Sequence, residues 1–209
     1  MSSTLLIWGA GGPGKVVLDV ALQSHAFENV LFLDDDPAKA GLTFCGCRVI
    51  GGIGELQHLA GSAFVVAIGD NRFRASCFDH ALASGLLPET LIHPTAVISN
   101  SATVAPGTVV MPGVIVNAAA VIAEDCILNS GAIIEHDCRI GSHVHIAPRA
   151  VLGGGVSVGS FAHIGIGATI LPMADIGDQS TVGAGAVVLH GAPAGSTVIG
   201  VPAKALSYA

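Results

Sequence analysis

Basic residues are scarce in this 209-residue chain: Lys and Arg total 8 against 15 Asp and Glu, a formal charge of −7. A general nucleic-acid binder needs cations to displace counterions from phosphates, so that function class is excluded. Long apolar runs are missing too, although 51% of the residues are hydrophobic. The most apolar stretch, Val109 to Ala123, is interrupted by Pro112, Gly113 and Asn117. It therefore falls short of the ~20 residues a spanning helix requires, and no membrane insertion is expected. Residues 1–20 carry no basic n-region, which argues against a secretory signal. No CxxC pair occurs among the five cysteines, and Cys45 and Cys47 are too close to bridge or to form a zinc knuckle unaided. Reduced thiols, a cytoplasmic location and no bound metal are the expectation. Disorder is excluded in turn, because so much apolar surface must be buried.

What is present divides near His93-Pro94. Upstream, short apolar runs alternate with helical patterns. Thr4–Gly9, Asn29–Asp34, Cys47–Gly51, Phe64–Ile68 and Thr90–His93 read as strands, and Lys15–His25, Ile53–Ala60 and Asn71–Ser84 as helices. That alternation predicts a small parallel α/β sheet over residues 1–93. Gly9-x-Gly11-x-x-Gly14 follows the first strand and opens the first helix, and Asp34 lies 20 residues after Gly14. Glycine lets backbone approach a phosphate, and a helix N-terminus attracts its charge. A ligand-free turn and a hydride-transferring NAD enzyme are the alternatives. The segment has room for only one mononucleotide half.

Downstream, residues 94–209 obey a six-residue rule. From Ile98 to Val188, sixteen consecutive sixth positions hold only Ile, Leu or Val, with no insertion. Four places later in each unit the side chain is small, as at Ala102, Ala120, Cys126, Ala132, Cys138, Ala150 and Ala186. This period matches a β-helix. Three units make one triangular coil, stacked on the next at strand spacing, ~4.8 Å. Sixteen units amount to a little over five coils. The aliphatic column fills the interior and the small column fits the corners, which makes Cys126 and Cys138 inert core thiols.

The repeat resembles that of the hexapeptide-repeat acyltransferases. Three segments narrow the likeness: Gly9-Ala10-Gly11-Gly12-Pro13-Gly14-Lys15 with Asp34-Asp35-Asp36; Leu128-Asn129 with Ile134-Glu135-His136-Asp137; and Gly200-Val201-Pro202-Ala203-Lys204. Together they resemble the bacterial nucleotide-amino-sugar N-acetyltransferases, also called sialic-acid O-acetyltransferase-like. The resemblance implies a small Rossmann-like N-terminal domain followed by a left-handed parallel β-helix. It also implies acetyl-CoA as co-substrate, a nucleotide-linked sugar as acceptor (UDP-4-amino-4,6-dideoxy in type) and a homotrimer with active sites at subunit interfaces. Such sugars feed glycan assembly.

Acetyl transfer to an amine needs a base, a donor to the carbonyl oxygen and orientation. A histidine beside a carboxylate suits the first role, and His136 with Asp137 matches the family's base and acid. By the same resemblance Gly11, Gly12, Pro13, Asp34, Asp35, Gly69 and Asn71 bind the nucleotide, and Asn129 lies near the acceptor sugar. His145 contacts acetyl-CoA near its thioester, Gly154 offers backbone to the thioester oxygen, and Ile166 and Ala184 line the pantetheine channel. Relatives usually carry His at Pro13 and Gly at Ala184. Of the remaining histidines, His25, His58 and His80 read as structural, and His145 and His163, 18 residues apart, should stack; His190 has no assigned role. Uninterrupted units leave flat outer faces, so a pocket requires a neighbouring subunit. Rival readings are sugar O-acetylation, against which the nucleotide-type loop argues, and a silent scaffold, against which His136-Asp137 argues.

Overall fold

A computed structural model describes residues 4–206. Strands Thr4–Trp8, Asn29–Leu33, Ala63–Val66 and Leu87–Pro88 form a parallel sheet with Thr4–Trp8 between Asn29–Leu33 and Ala63–Val66. Strand alternation divides its core. Leu5 and Ile7 join Val17, Leu18 and Ala21 of helix α1 (Gly12–Ser24), while Leu6 and Trp8 join Cys77, Phe78 and Ala81 of helix α2 (Asn71–Ala83). Gly14 sets how closely α1 docks: a Cβ there would lie 2.1 Å from the Gly9 carbonyl oxygen and 3.2 Å from Phe32. Pro13 is tolerated in the first turn, where its missing N–H has no intrahelical partner to lose.

Several elements differ from the pattern-based expectation. Cys47–Arg48 pairs antiparallel with Thr43–Phe44 in a hairpin, and only Val49 bridges to Phe32 of the main sheet. Ile53–His58 is a 3-10 helix rather than α, and Leu87–Pro88 supplies the fourth strand. Leu91–Ile92 does not close the first sheet. It pairs in parallel with Val109–Val110 and is thus a rung of the following solenoid. Its apolar pair reads alike in either setting, since the periodicity is too short to choose.

The solenoid has three parallel faces of two-residue rungs, stacked one coil apart for about six turns. Face one includes Val109–Val110, Ile127–Leu128, His145–Ile146 and His163–Ile164; face two includes Ile115–Val116, Ile133–Ile134 and Val151–Leu152; face three includes Val121–Ile122, Arg139–Ile140 and Ser157–Val158. From Val110 to Val188 every member of the aliphatic column is buried. The second column is less uniform than expected, because Val114, Val144 and Val156 fit the corner sites as well as Ala does. Cys126 and Cys138 are buried in that column, and burial pushes the Cys126 thiol up to about 12. Three places after each member of the column from Val104 to Val188 the chain turns with a positive φ, as at Asp125 (50°), Asp137 (61°) and His143 (60°).

The faces differ outwardly. Leu91, Val109 and Ile127 of face one are buried, and α1 packs against the Leu91–Ile92 rung. Face three presents Thr103, Arg139, Ser157 and Asp175. Face two presents a row of Val97, Ile115, Ile133, Val151, Thr169 and Val187, of which Val97 is exposed and the rest half-buried. No helix among the described residues is long and apolar enough to cross a membrane.

Candidate active site

The glycine loop separates two cavities. The larger, about 430 Å³, is lined by Gly9, Gly11, Pro13, Asp34, Asp35 and Gly69, with Trp8, Asp36 and Phe73 also at its wall. The acidic cluster there is already engaged. Asp34 Oδ2 accepts from the Ala10 amide and from Lys39 Nζ, each at 2.8 Å. Asp35 accepts from Trp8 Nε1 at 3.1 Å and from the Ile53 amide at 2.7 Å. Burial alone would raise the Asp34 carboxyl, but the Lys39 ammonium and the Asp36 and Ala10 amides outweigh it and hold the group below its ordinary value. These carboxylates first shape the loop; ligand contact falls to their remaining lone pairs. Asn71, expected in this wall, lies elsewhere. Its Nδ2 donates to the Phe161 and Ala162 carbonyls of the solenoid, both at 3.0 Å.

The smaller cavity, about 190 Å³, lies between α1 and face one and is lined by Gly12, Pro13, Val16, Met111, Asn129 and His145 among others. Asn129 is oriented by the Ser130 amide, which donates to its Oδ1 at 2.8 Å, so its Nδ2 faces His145 Nε2 at 3.2 Å. The imidazole therefore carries its proton on Nδ1. That nitrogen is buried without a well-formed hydrogen bond, the Gly69 carbonyl being the polar group beside it. As the 18-residue period requires, His145 pairs in register with His163, their ring centroids 4.9 Å apart. Burial, then the charges of His163 and Arg74, push His145 down to about 4; burial and Arg74 lower His163 as well.

A stability prediction follows from the sign of these shifts. Between pH 6.5 and about 4 the unfolded chain binds a proton at position 145 that the folded chain refuses. Stability is full above that window and falls as pH drops through it, by about 3 kcal/mol for this residue. Urea melts of the wild type and of His145→Gln should show the variant losing less over the window. Equal losses would discard the assignment.

His136 and Asp137 occupy a different corner. Asp137 Oδ2 lies 2.8 Å from His136 Nδ1, and both side chains are open to solvent in the single chain, 62% and 67% exposed. The turn accounts for the pair, since the positive φ at Asp137 folds its carboxylate back beside the preceding ring. The imidazole lies over Gly154, one coil on: a Cβ on Gly154 would sit 2.5 Å from Nε2. Asn129, Ile166 and Ala184 lie at the corner between faces one and two, whereas His136, Asp137 and Gly154 lie between faces two and three. A single prism thus keeps the proposed base apart from His145 and Asn129. Ile166 is 60% exposed, and Ala184 is exposed beside it.

This architecture recurs in proteins of known structure. PerB from Caulobacter crescentus, solved with CoA and GDP-perosamine, is 39% identical, with 98% of each chain covered and a TM-score of 0.92. The acetyltransferase domain of PglB from Neisseria gonorrhoeae, solved with acetyl coenzyme A, is 37% identical over 99% of this chain and 100% of that one, TM-score 0.93. WeeI from Acinetobacter baumannii is 27% identical over 98% and 100%, TM-score 0.90. Residues 4–81 match the PglD N-terminal domain family, and residues 119–154 match the bacterial transferase hexapeptide family. The chain belongs to the nucleotide-sugar N-acetyltransferases of the hexapeptide-repeat superfamily. It is an acetyl-CoA-dependent sugar N-acetyltransferase. A comparison with curated proteins finds no match.

In this N-acetyltransferase one buried polar cluster has no signature in the periodic sequence pattern. Arg74 of α2 is fully buried and pairs with Asp125, Nε to Oδ2 at 3.2 Å, while His143 Nδ1 lies 2.8 Å from the same oxygen. Phe161 stacks on His143, ring centroids 4.8 Å apart. Burial raises the Asp125 carboxyl despite His143 and Arg74, and its Oδ1 has no partner. The available signal was an Arg at an inward position of a short helix; its partners are 51 and 69 residues away. Among the described residues no group of three or more His, Cys, Asp or Glu could hold a metal ion.

Proposed function

We propose that the acceptor is the amine of a nucleoside-diphosphate-linked amino sugar, that His136 is its base, and that each site is completed between copies of a homotrimer. The observation that carries this reading is the His136–Asp137 pair seated on a residue without a side chain, in the same chain as a nucleotide-sized cavity at a glycine loop. Asp137 holds the proton on Nδ1, which leaves the Nε2 lone pair over Gly154 for the amine proton. The sugar nitrogen forms its bond to the acetyl carbon as the carbon–sulfur bond breaks, and the proton taken by His136 passes to the departing thiolate. Backbone amide at Gly154 donates to the carbonyl oxygen as its charge grows. The thioester is already activated, so no serine or cysteine nucleophile is required and transfer is direct.

Face two supports the trimer. Its row of β-branched side chains, all aliphatic but Thr169, is the apolar outer surface left open to another copy, and it lies between the two corners that hold the divided site residues. Closing three copies around this face brings the His136 corner of one to the Asn129–His145 corner of the next. Gly11, Gly12, Pro13, Asp34, Asp35 and Gly69 then hold the nucleotide, Asn129 meets the sugar, and His145, Ile166 and Ala184 line the donor channel. A thiol-release assay with acetyl-CoA and a panel of UDP-, dTDP- and GDP-linked amino sugars tests the reaction, with solution scattering on the same sample. We expect turnover with one of these nucleotide-linked acceptors and a mass of three chains. No thiol release with any of them sinks the acceptor class, and a fully active monomer sinks the shared site.

A further inference from the structure

The buried Arg74 bonds to both halves of the molecule at once. Nη1 donates to the Ile68 carbonyl at 3.2 Å and to Asn71 Oδ1 at 2.9 Å. Nη2 donates to the His143 carbonyl at 2.7 Å, and Nε to the Asp125 carbonyl at 3.1 Å as well as to its carboxylate. Ile68 lines the larger cavity and is followed by Gly69, which borders both cavities and lies beside His145 Nδ1. His143 stands two residues before His145 on the adjoining turn. Through Asn71, held by the same guanidinium, the grip extends to the Phe161 and Ala162 carbonyls one coil below. One planar fork therefore ties the wall of the nucleotide cavity to the turn that feeds the donor-side histidine. A lysine ammonium is a point donor without this rigid fork and cannot replace all five of these hydrogen bonds.

We infer that Arg74 is a positioning residue that sets the register of the nucleotide-holding half on the β-helix, so that the bound sugar amine is delivered to the thioester. It touches neither substrate and acts through Gly69 and the 143–145 segment. The inference rests on the acetyl-transfer reading. Its signature is a split between binding and turnover. The larger cavity is built wholly from residues 8–73, so nucleotide affinity should survive when the register is lost.

The test compares Arg74→Lys and Asp125→Asn with wild type, using the amino-sugar substrate identified by the panel and its parent nucleoside diphosphate. Calorimetry counts diphosphate sites per chain, and kcat is expressed per counted site. For Arg74→Lys we expect a diphosphate Kd within twofold of wild type, one site per chain, and kcat per site lowered more than tenfold. Asp125→Asn removes the ion pair but leaves the donors to Ile68 and His143, so it should lower the Tm while holding kcat per site within threefold. If kcat per site is unchanged in Arg74→Lys, or falls equally in both variants, the residue merely supports the fold and the inference is overturned. A wild type that transfers no acetyl group would fail at the panel, before either variant is compared.

Discussion

His136→Ala lowers kcat by about 10³-fold, within the range a positioned general base contributes. The loss belongs to the chemical step. His136 is open to solvent, it is one of the corner residues rather than of the aliphatic column, and among the described residues its ring bonds only to Asp137. Its removal therefore leaves the core and face two intact, and the variant keeps the solution mass of the wild type and its acetyl-CoA affinity. The measurement is thiol release at saturating substrates beside scattering and a CoA-binding isotherm. A variant that retains more than a tenth of the activity removes His136 as the base. One that dissociates shows instead that the corner is structural.

Gly154→Ala should lower kcat by about 10²-fold without loss of stability, since a reacting group misplaced by about 1 Å can cost that much. The new Cβ would stand 2.5 Å from His136 Nε2 and 2.6 Å from Cε1, distances that cannot persist. What yields is the far end of an exposed side chain, which swings away cheaply. Gly154 has no positive φ, so Ala meets no backbone strain. Hence the melt of the variant matches wild type while thiol release drops. Gly54→Ala serves as the control, because a Cβ there meets nothing within 4 Å. Full activity in Gly154→Ala would mean that the ring over Gly154 is not the working position.

The histidine pair and the glycine loop could be read from sequence because their partners are near in sequence or set by the period. Asp137 adjoins His136, and His163 lies one coil from His145. Asn71 and Asp34 were harder. The sequence offers both as ligand contacts; in the fold Asn71 bonds across 90 residues to Phe161, and Asp34 braces Ala10 and Lys39 and keeps only its remaining lone pairs for a ligand. An amide or carboxylate looks the same in sequence whether its lone pairs serve the chain or a ligand. The rung Leu91–Ile92 posed the same problem in the backbone, since a two-residue apolar strand suits either sheet.

By itself the sequence determined the solenoid, its period and the burial of its aliphatic column, because a repeat of six leaves each side chain only one direction to face. It also determined the glycine-rich turn, where Gly14 alone admits α1 to the first strand. Only the tertiary structure decided how the halves meet, through Arg74, Asp125 and His143, and which corners hold His136 and His145. The physical reason is that a buried charge is tolerated only where partners from distant segments converge on it, and that convergence has no period to read.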